Sequence, residues 1–193
     1  HQQYLGPRIS YVEISSVKTD YGDTIFPRLH DKYAGEAVGT TVKIHIAEAD
    51  WGLVYDDLNG PSMAARDVYS RIVLYDDDRQ PVQLGDSGDD YKITDLHYTS
   101  SGGVVTDVYF EHVFQSTDIP DGYWNLQATV YNSYDEPGNT WRMRVRIENG
   151  PPAVPTLIAV PRYGDSNGDW IVDVSWLGGG ERDRDHYVLT RYK

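Results

Sequence analysis

Hydrophobic and polar residues alternate with a period of two along most of the chain, which is typical of half-buried β-strands. The sharpest alternation lies in residues 140–147, where four apolar residues interleave with three arginines: Trp141, Met143, Val145 and Ile147 with Arg142, Arg144 and Arg146. Further alternating or apolar runs predict strands at 9–17, 40–47, 68–75, 91–98, 104–114 and 123–131. No segment has the 3.6-residue periodicity of an amphipathic helix over a useful length.

Clusters of Asp, Gly and Ser separate these runs, and such clusters are typical of turns between strands. About seven short strands with no long helix in residues 1–149 predict an antiparallel β-sandwich. The phase of each strand also predicts its buried face. Trp141 is expected in the core, and four residues of the 104–114 strand are expected to share one face: Val104, Val108, Phe110 and Phe114.

A proline-rich segment at residues 150–155 predicts a short linker between two domains. Its three prolines remove hydrogen-bond donors and stiffen the chain. Beyond it the alternation resumes, with Trp170, Val172, Val174 and Trp176 in one phase and Ile171, Asp173 and Ser175 in the other. Residues 186–192 predict another strand, so residues 156–193 are expected to form a second, smaller β-domain.

The charge balance limits the partners that the chain is expected to bind. Acidic residues outnumber basic ones 30 to 17, and the formal net charge is −13. A protein this negative repels phosphate backbones and anionic lipids, so neither nucleic acid nor a membrane surface is an expected partner. No apolar run approaches the roughly 20 residues of a membrane span. Cysteine is absent, which excludes disulfides, thiolate metal sites and cysteine nucleophiles.

Several segments resemble known β-sandwich families. Residues 155–159, 170–176 and 185–192 resemble the first three strands of a fibronectin type III domain, in which Trp176 and Tyr187 match core positions. Residues 119–130 and 138–140 resemble the closing hairpin of bacterial immunoglobulin-like surface repeats. The resemblance implies an all-β fold: an immunoglobulin-like antiparallel β-sandwich over 1–149, followed by a second, incomplete fibronectin type III-like β-sandwich.

Three strands cannot close a sandwich of about seven strands, so the second domain is expected to need a cover. A partner subunit, the first domain or further sequence could each supply it. We favour a partner subunit, and expect an assembly interface at Trp170, Trp176, Tyr187 and Leu189, with an arginine strip at Arg142, Arg144 and Arg146. The strip would meet an acidic surface on a neighbouring copy. The alternative is a solvated sheet face with local ion pairs.

These expectations point to a non-catalytic structural subunit of an extracellular filament, pilus or surface layer. Its partners would be other copies of itself or a companion filament subunit, joined by β-strand and side-chain contacts. Because the chain opens at His1 rather than Met, we expect that an N-terminal segment such as a signal peptide has been removed. The expected localisation is therefore the cell surface.

One loop has the spacing of a calcium site. Asp165, Asn167, Asp169 and Asp173 place oxygen ligands at positions 1, 3, 5 and 9, an arrangement that suits calcium. However, Trp170 occupies the position at which such loops need glycine. We favour a polar turn between two strands, which the alternation also explains, and expect no cofactor unless calcium binds here.

Two other functions remain alternatives. Trp51, Tyr55 and Tyr69 are the aromatic residues expected to be most exposed, and they could stack on sugars in an accessory carbohydrate-binding or adhesion module. The third hypothesis is a copper-dependent polysaccharide oxygenase, in which His1 would bind copper through its amine and ring. Its second ligand would be one of three histidines: His45, His97 or His112. No hydrolase elbow, zinc-protease helix or phosphate loop is present in the sequence.

Overall fold

The computed structural model describes residues 5–22, 24–25, 39–58, 63–76, 78–147, 156–163 and 170–177. The chain divides into two compact units, His1–Asn149 and Gly150–Lys193. The boundary falls at the start of the proline-rich segment. No helix in these described ranges is long and apolar enough to cross a membrane.

The described part of the first unit contains ten strands. They are β1 (Ile9–Ile14), β2 (Val17–Thr19), β3 (Thr24–Ile25), β4 (Thr40–Ile46), β5 (Tyr69–Asp76), β6 (Arg79–Leu84), β7 (Leu96–Ser101), β8 (Val104–Phe114), β9 (Gly122–Tyr131) and β10 (Pro137–Ile147). Short 3-10 helices lie at Glu48–Leu53, Ser87–Asp89 and Ser116–Asp118.

The ten strands form two five-stranded sheets. The first sheet has the order β2-β1-β4-β8-β7, and the second has the order β3-β10-β9-β5-β6. Neighbouring strands pair antiparallel, except that β3 pairs parallel with β10. This parallel pair departs from the purely antiparallel sheet that the alternation predicts.

The core lies between the inner faces of the two sheets, which makes the first unit a β-sandwich. From the second sheet it receives Trp124, Leu126, Trp141, Met143 and Val145, and from the first Val12, Ile44, Val108 and Phe110. Trp141 is therefore buried, as its phase predicts. The all-β sandwich expected from the alternation is confirmed.

Two details of the predicted strands are wrong. The strand expected at 91–98 begins only at Leu96, because Asp90 and Tyr91 have left-handed backbone conformations (φ 54° and 57°) that end a turn. Val104 is exposed rather than buried with Val108. A register shift opposite Thr99 puts one extra residue into β8, and this bulge changes the phase of the strand before Val108.

The segment before β1 fastens the two sheets together. The Ile9 amide donates a hydrogen bond to Oδ1 of Asn139 on β10 (2.6 Å), and the Asn139 amide nitrogen donates to the Ile9 carbonyl (3.1 Å). Gly138 allows this approach, since a Cβ there would collide with the Pro7 carbonyl. Arg8, the preceding residue, forms a bidentate ion pair with Asp50.

The second unit contributes one described hairpin, β11 (Thr156–Tyr163) and β12 (Trp170–Leu177), which pair antiparallel over their full length. β12 covers the strand that the alternation predicts at 170–176. Tyr187 and Leu189 lie outside the described residues.

Candidate functional site

The outward side of the second sheet carries the three arginines found in the sequence. Cross-strand pairing sets Arg142 opposite Gln127, Arg144 opposite Asn125 and Arg146 opposite Tyr123 on β9. Because directly paired residues project from the same side of a sheet, these side chains form one surface. We call it the arginine face: Arg142, Arg144, Arg146, Tyr123 and Asn125.

Tyr123 organises two of the arginines. The Cζ atoms of Arg144 and Arg146 lie 5.1 and 5.4 Å from the centre of its ring, within the range of cation–π contacts. The tyrosine is itself 48% exposed. Arg142 and Arg144 are exposed, whereas Arg146 is half-buried. The ring therefore orients guanidinium groups at the surface, where their N–H groups can reach an acceptor.

Carboxylates are missing from the outward positions of three neighbouring strands of this sheet. Those positions hold the following residues: Tyr69, Arg71, Val73 and Tyr75 on β5, Tyr123, Asn125, Gln127, Thr129 and Tyr131 on β9, and Thr140, Arg142, Arg144 and Arg146 on β10. Within the described residues, Arg142 and Arg144 form no ion pair with a carboxylate. In a chain with 30 acidic residues, the only charged residues at these strand positions are arginines, although the carboxylates of Asp90 and Asp135 reach Arg71 and Tyr69 from neighbouring turns.

The hairpin of the second unit has one apolar side. Its register pairs Leu157 with Trp176, Ala159 with Val174, Pro161 with Val172 and Tyr163 with Trp170, and these eight positions share one side of the ribbon. The other side is mixed: its positions hold Thr156, Arg162, Asp173 and Ser175 together with Ile158, Val160, Ile171 and Leu177. Ala159, Pro161 and Val174 are exposed on the apolar side, as are Ile158 and Val160 on the other (39% and 54%).

Two of the three residues expected to stack on sugars are not exposed. Tyr55 is 4% and Tyr69 is 6% exposed, so that expectation is wrong for both. Tyr55 follows the 3-10 helix Glu48–Leu53, which turns it into the core, and its ring meets the edge of Tyr98. Burial raises its pKa. Trp51 is half-buried against the core.

Tyr69 is enclosed on the outer side of the second sheet. Its ring stacks on Tyr131 with centroids 4.9 Å apart, and its hydroxyl donates a hydrogen bond to Oδ1 of Asp135 (2.8 Å). Lys92 Nζ lies 4.3 Å from the ring centre. Burial, together with the Asp135 carboxylate, raises the pKa of Tyr69 to about 12. A sugar would have to displace these contacts to reach the ring.

The histidines considered for copper lie in different settings. His45 is buried within a row of stacked rings that crosses the first sheet, between Tyr11 (4.0 Å) and Tyr109 (5.2 Å). Its Nδ1 lies 2.8 Å from Oδ2 of Asp107. His97 stacks on the far side of Tyr109, so one ring separates the two histidines.

His112 lies on the inward side of β8, and burial lowers its pKa. His1, the residue on which the copper hypothesis depends, lies outside the described residues, so that hypothesis is untested.

Most of the loop with the spacing of a calcium site also lies outside the described residues. Asp165, Asn167 and Asp169 are not described, and Asp173 is an exposed residue of β12. Across the described ranges, no group of three or more histidine or acidic side chains is placed to hold a metal ion. The preference for a polar turn over a calcium site therefore stays a prediction.

The sequence predicted the arginine strip but not the residues that complete its surface. Alternation in residues 123–131 puts Asn125 in the phase opposite Trp124 and Leu126, but it does not link that phase to the arginines. The signal that joins them is the register between β9 and β10, which a single sequence does not give. The row of rings around His45 was missed for the same reason.

Comparison with protein-family models finds no family that matches the chain, and comparison with curated proteins finds no match either.

Proposed function

We propose that this protein is a non-catalytic structural subunit of an extracellular filament, pilus or surface layer, in which copies of the chain contact one another through strands and side chains. The finer assignment, an immunoglobulin-like sandwich followed by a fibronectin type III-like one, belongs to the same proposal. It rests on the resemblance of residues 119–130 and 170–176 to those families.

The observation that carries the proposal is the hairpin β11–β12, one side of which is apolar at all eight positions. A two-stranded ribbon is marginally stable in water unless its apolar side packs against another surface. Eight apolar positions lie on one side here, and the three whose side chains are described are all exposed. An exposed apolar ribbon of this kind is typical of surfaces that bind another protein.

A second copy is the partner that the proposal selects. A β-ribbon offers backbone donors and acceptors along its edges, and an added strand satisfies them while side chains fill the partner's surface. Repetition of one such contact between identical chains gives either a closed dimer or an open filament, depending on whether the contact is reciprocal. The proposal predicts an open filament.

Two single substitutions on opposite sides of β12 test this proposal. Val174→Glu puts a charge on the apolar side, at a residue that is already 36% exposed. Ser175→Glu adds the same charge at the next residue, which is exposed on the other side. We expect Val174→Glu to weaken self-association at least about tenfold, since one buried unpaired charge costs more than 1.4 kcal/mol.

Sedimentation velocity of both full-length variants and of the wild-type chain gives the result. Ser175→Glu should associate as the wild type does. Circular dichroism at each concentration checks that the first unit remains folded. Equal association of the two variants would contradict the role of the apolar side, and a monomeric wild-type chain would contradict the proposed function itself.

A further inference from the structure

The arginine face combines three properties that seldom occur together on an acidic protein. The guanidinium groups of Arg144 and Arg146 contact a tyrosine ring, Arg142 and Arg144 have no carboxylate partner in the described part of the chain, and the outward positions of the adjacent strand β9 are uncharged. Arginine and tyrosine are also the residues most enriched at the energetic centres of protein interfaces. These properties are expected of a docking surface for a carboxylate-bearing partner.

The dimensions of the face limit the shape of that partner. Arg142 and Arg146 are four residues apart on one strand, a separation of about 13 Å. Acidic turns flank the sheet at both ends: Asp76 and Asp78 beside the β5–β6 connection, and Asp86 and Asp89 after β6. A long polyanion lying on the arginines would continue over these turns and be repelled. A compact element with two or three carboxylates fits better.

This chain presents such an element. Asp86 and Asp89 are exposed on a 3-10 turn whose backbone is fixed by hydrogen bonds from the Asp89 and Tyr91 amides to the Asp86 carbonyl (3.1 and 2.9 Å). Asp90, the next residue, instead pairs with Arg71 (2.6 Å). The turn therefore holds two carboxylates at the surface in a preformed arrangement, which keeps the entropy cost of binding low.

We propose that the arginine face of one copy binds the acidic turn Asp86–Asp89 of a second copy. The inference rests on the proposed function, and it names one contact through which copies assemble. Arg142 and Arg144 donate hydrogen bonds to the carboxylates of Asp86 and Asp89, while Tyr123 keeps the guanidinium of Arg144 in place. Because the two surfaces are different parts of the chain, a head-to-tail arrangement can form, and in that arrangement the contact repeats without closing.

Charge reversal on each side of the contact tests the inference. Arg142→Glu with Arg144→Glu places like charges opposite the acidic turn. Asp86→Asn with Asp89→Lys changes the charge of the turn from negative to positive. Asparagine at position 86 keeps the side-chain oxygen that accepts a hydrogen bond from the Gly88 amide. Each double variant should weaken self-association of the full chain at least about tenfold, because like charges facing each other repel strongly. Combining all four substitutions should restore a large part of the association.

A control with the same change in net charge as the arginine double variant uses the other sheet. Lys18→Glu with Lys43→Glu alters the outer side of the first sheet, where Lys43 pairs with Glu111 at 3.6 Å between half-buried side chains. These variants should associate as the wild type does. Sedimentation velocity at low and high salt measures all of them, and the wild-type association should weaken as salt rises.

The outcomes separate the two proposals. If the wild-type chain associates and the arginine variant associates equally well, the arginine face has no part in assembly and the inference is wrong while the proposed function stands. Loss of association in the arginine variant but not in the Asp86/Asp89 variant would overturn the choice of this turn as the partner. A wild-type chain that remains monomeric contradicts both.

Discussion

The two core tryptophans of the first unit differ in what their indole N–H groups contact. Trp124 Nε1 donates a hydrogen bond to the Pro120 carbonyl (3.0 Å). Trp141 Nε1 is buried and has no hydrogen-bond partner among the described residues, although its ring meets Tyr21 edge-on at 5.8 Å. Burial of an unpaired donor costs free energy that the apolar contacts of the ring must offset.

Replacing each tryptophan with phenylalanine should reveal this difference. Trp124→Phe leaves the Pro120 carbonyl without its partner, whereas Trp141→Phe removes an unpaired N–H. We expect Trp124→Phe to lower the free energy of unfolding by at least about 1 kcal/mol more than Trp141→Phe does. Chemical denaturation measures both, with Trp141→Ala as a burial control that should cost about 3–5 kcal/mol. A larger loss in Trp141→Phe than in Trp124→Phe would contradict this account.

At the residue scale, sequence phase predicted burial well where strands are regular. The inward side of β10 follows from alternation because each Arg in that strand marks the outward phase. The expectation that Tyr55 and Tyr69 are exposed is wrong, and it rests on their nearness to the irregular segment 51–63 and not on strand phase. Their burial depends on Tyr98, Tyr131 and Asp135, which are distant in sequence and near only in the folded sheets.

At the element scale, one ion pair joins Arg8, the residue directly before β1, to the 3-10 helix Glu48–Leu53. Arg8 Nε and its backbone amide both donate to Oδ2 of Asp50 (2.7 and 2.8 Å), and a second guanidinium nitrogen donates to Oδ1 (3.0 Å). Burial alone would raise the pKa of Asp50. The Arg8 hydrogen bonds and charge outweigh it, so the pKa is lowered.

This lowered pKa predicts the pH range in which the contact stabilises the fold. A carboxyl group whose pKa is lower in the folded chain stabilises it above the unfolded value of about 3.9, and the stabilisation disappears as pH falls through the folded value. Asp50→Asn should therefore lower the thermal midpoint by about 2–4 °C at neutral pH. The difference from wild type should shrink below about pH 4.

Thermal scans from neutral pH to pH 3 measure the effect, and Asp56→Asn is the matched control. The Asp56 pair with Arg66 is exposed on both sides, so its loss should shift the midpoint little at any pH. If the difference in thermal midpoint between Asp50→Asn and the wild type stays constant with pH, the charge of Asp50 does not stabilise the contact between Arg8 and the 3-10 helix.

The elements themselves were partly predictable. Period-two alternation located β4, β8, β9, β10 and β12, a run that is apolar in both phases located β5, and a less regular pattern located β1. These patterns gave no strand at β6, where Pro81 lies within an edge strand, and none at the two- and three-residue strands β3 and β2. The parallel pairing of β3 with β10 depends on the path of the chain between the sheets, which local pattern does not encode.

At the scale of the whole molecule, charge is segregated between the two sheets of the first unit. The outer side of the first sheet alternates Lys18, Glu13, Lys43 and Glu111 across four strands. The outward positions of β5, β9 and β10 carry arginines and no carboxylate. The net charge of −13 follows from the composition, but this segregation of charge appears only once the register places the strands side by side.

The measurement that tests the central claim most directly is sedimentation velocity of the full-length wild-type chain from low micromolar concentrations upward. Head-to-tail assembly predicts a weight-average sedimentation coefficient that keeps rising with concentration and does not level off at the value of a dimer. A coefficient that levels off at the dimer value would indicate a reciprocal, closed contact in place of a filament. A monomer coefficient at every concentration, in low and high salt alike, would contradict the claim that this chain is an assembling structural subunit.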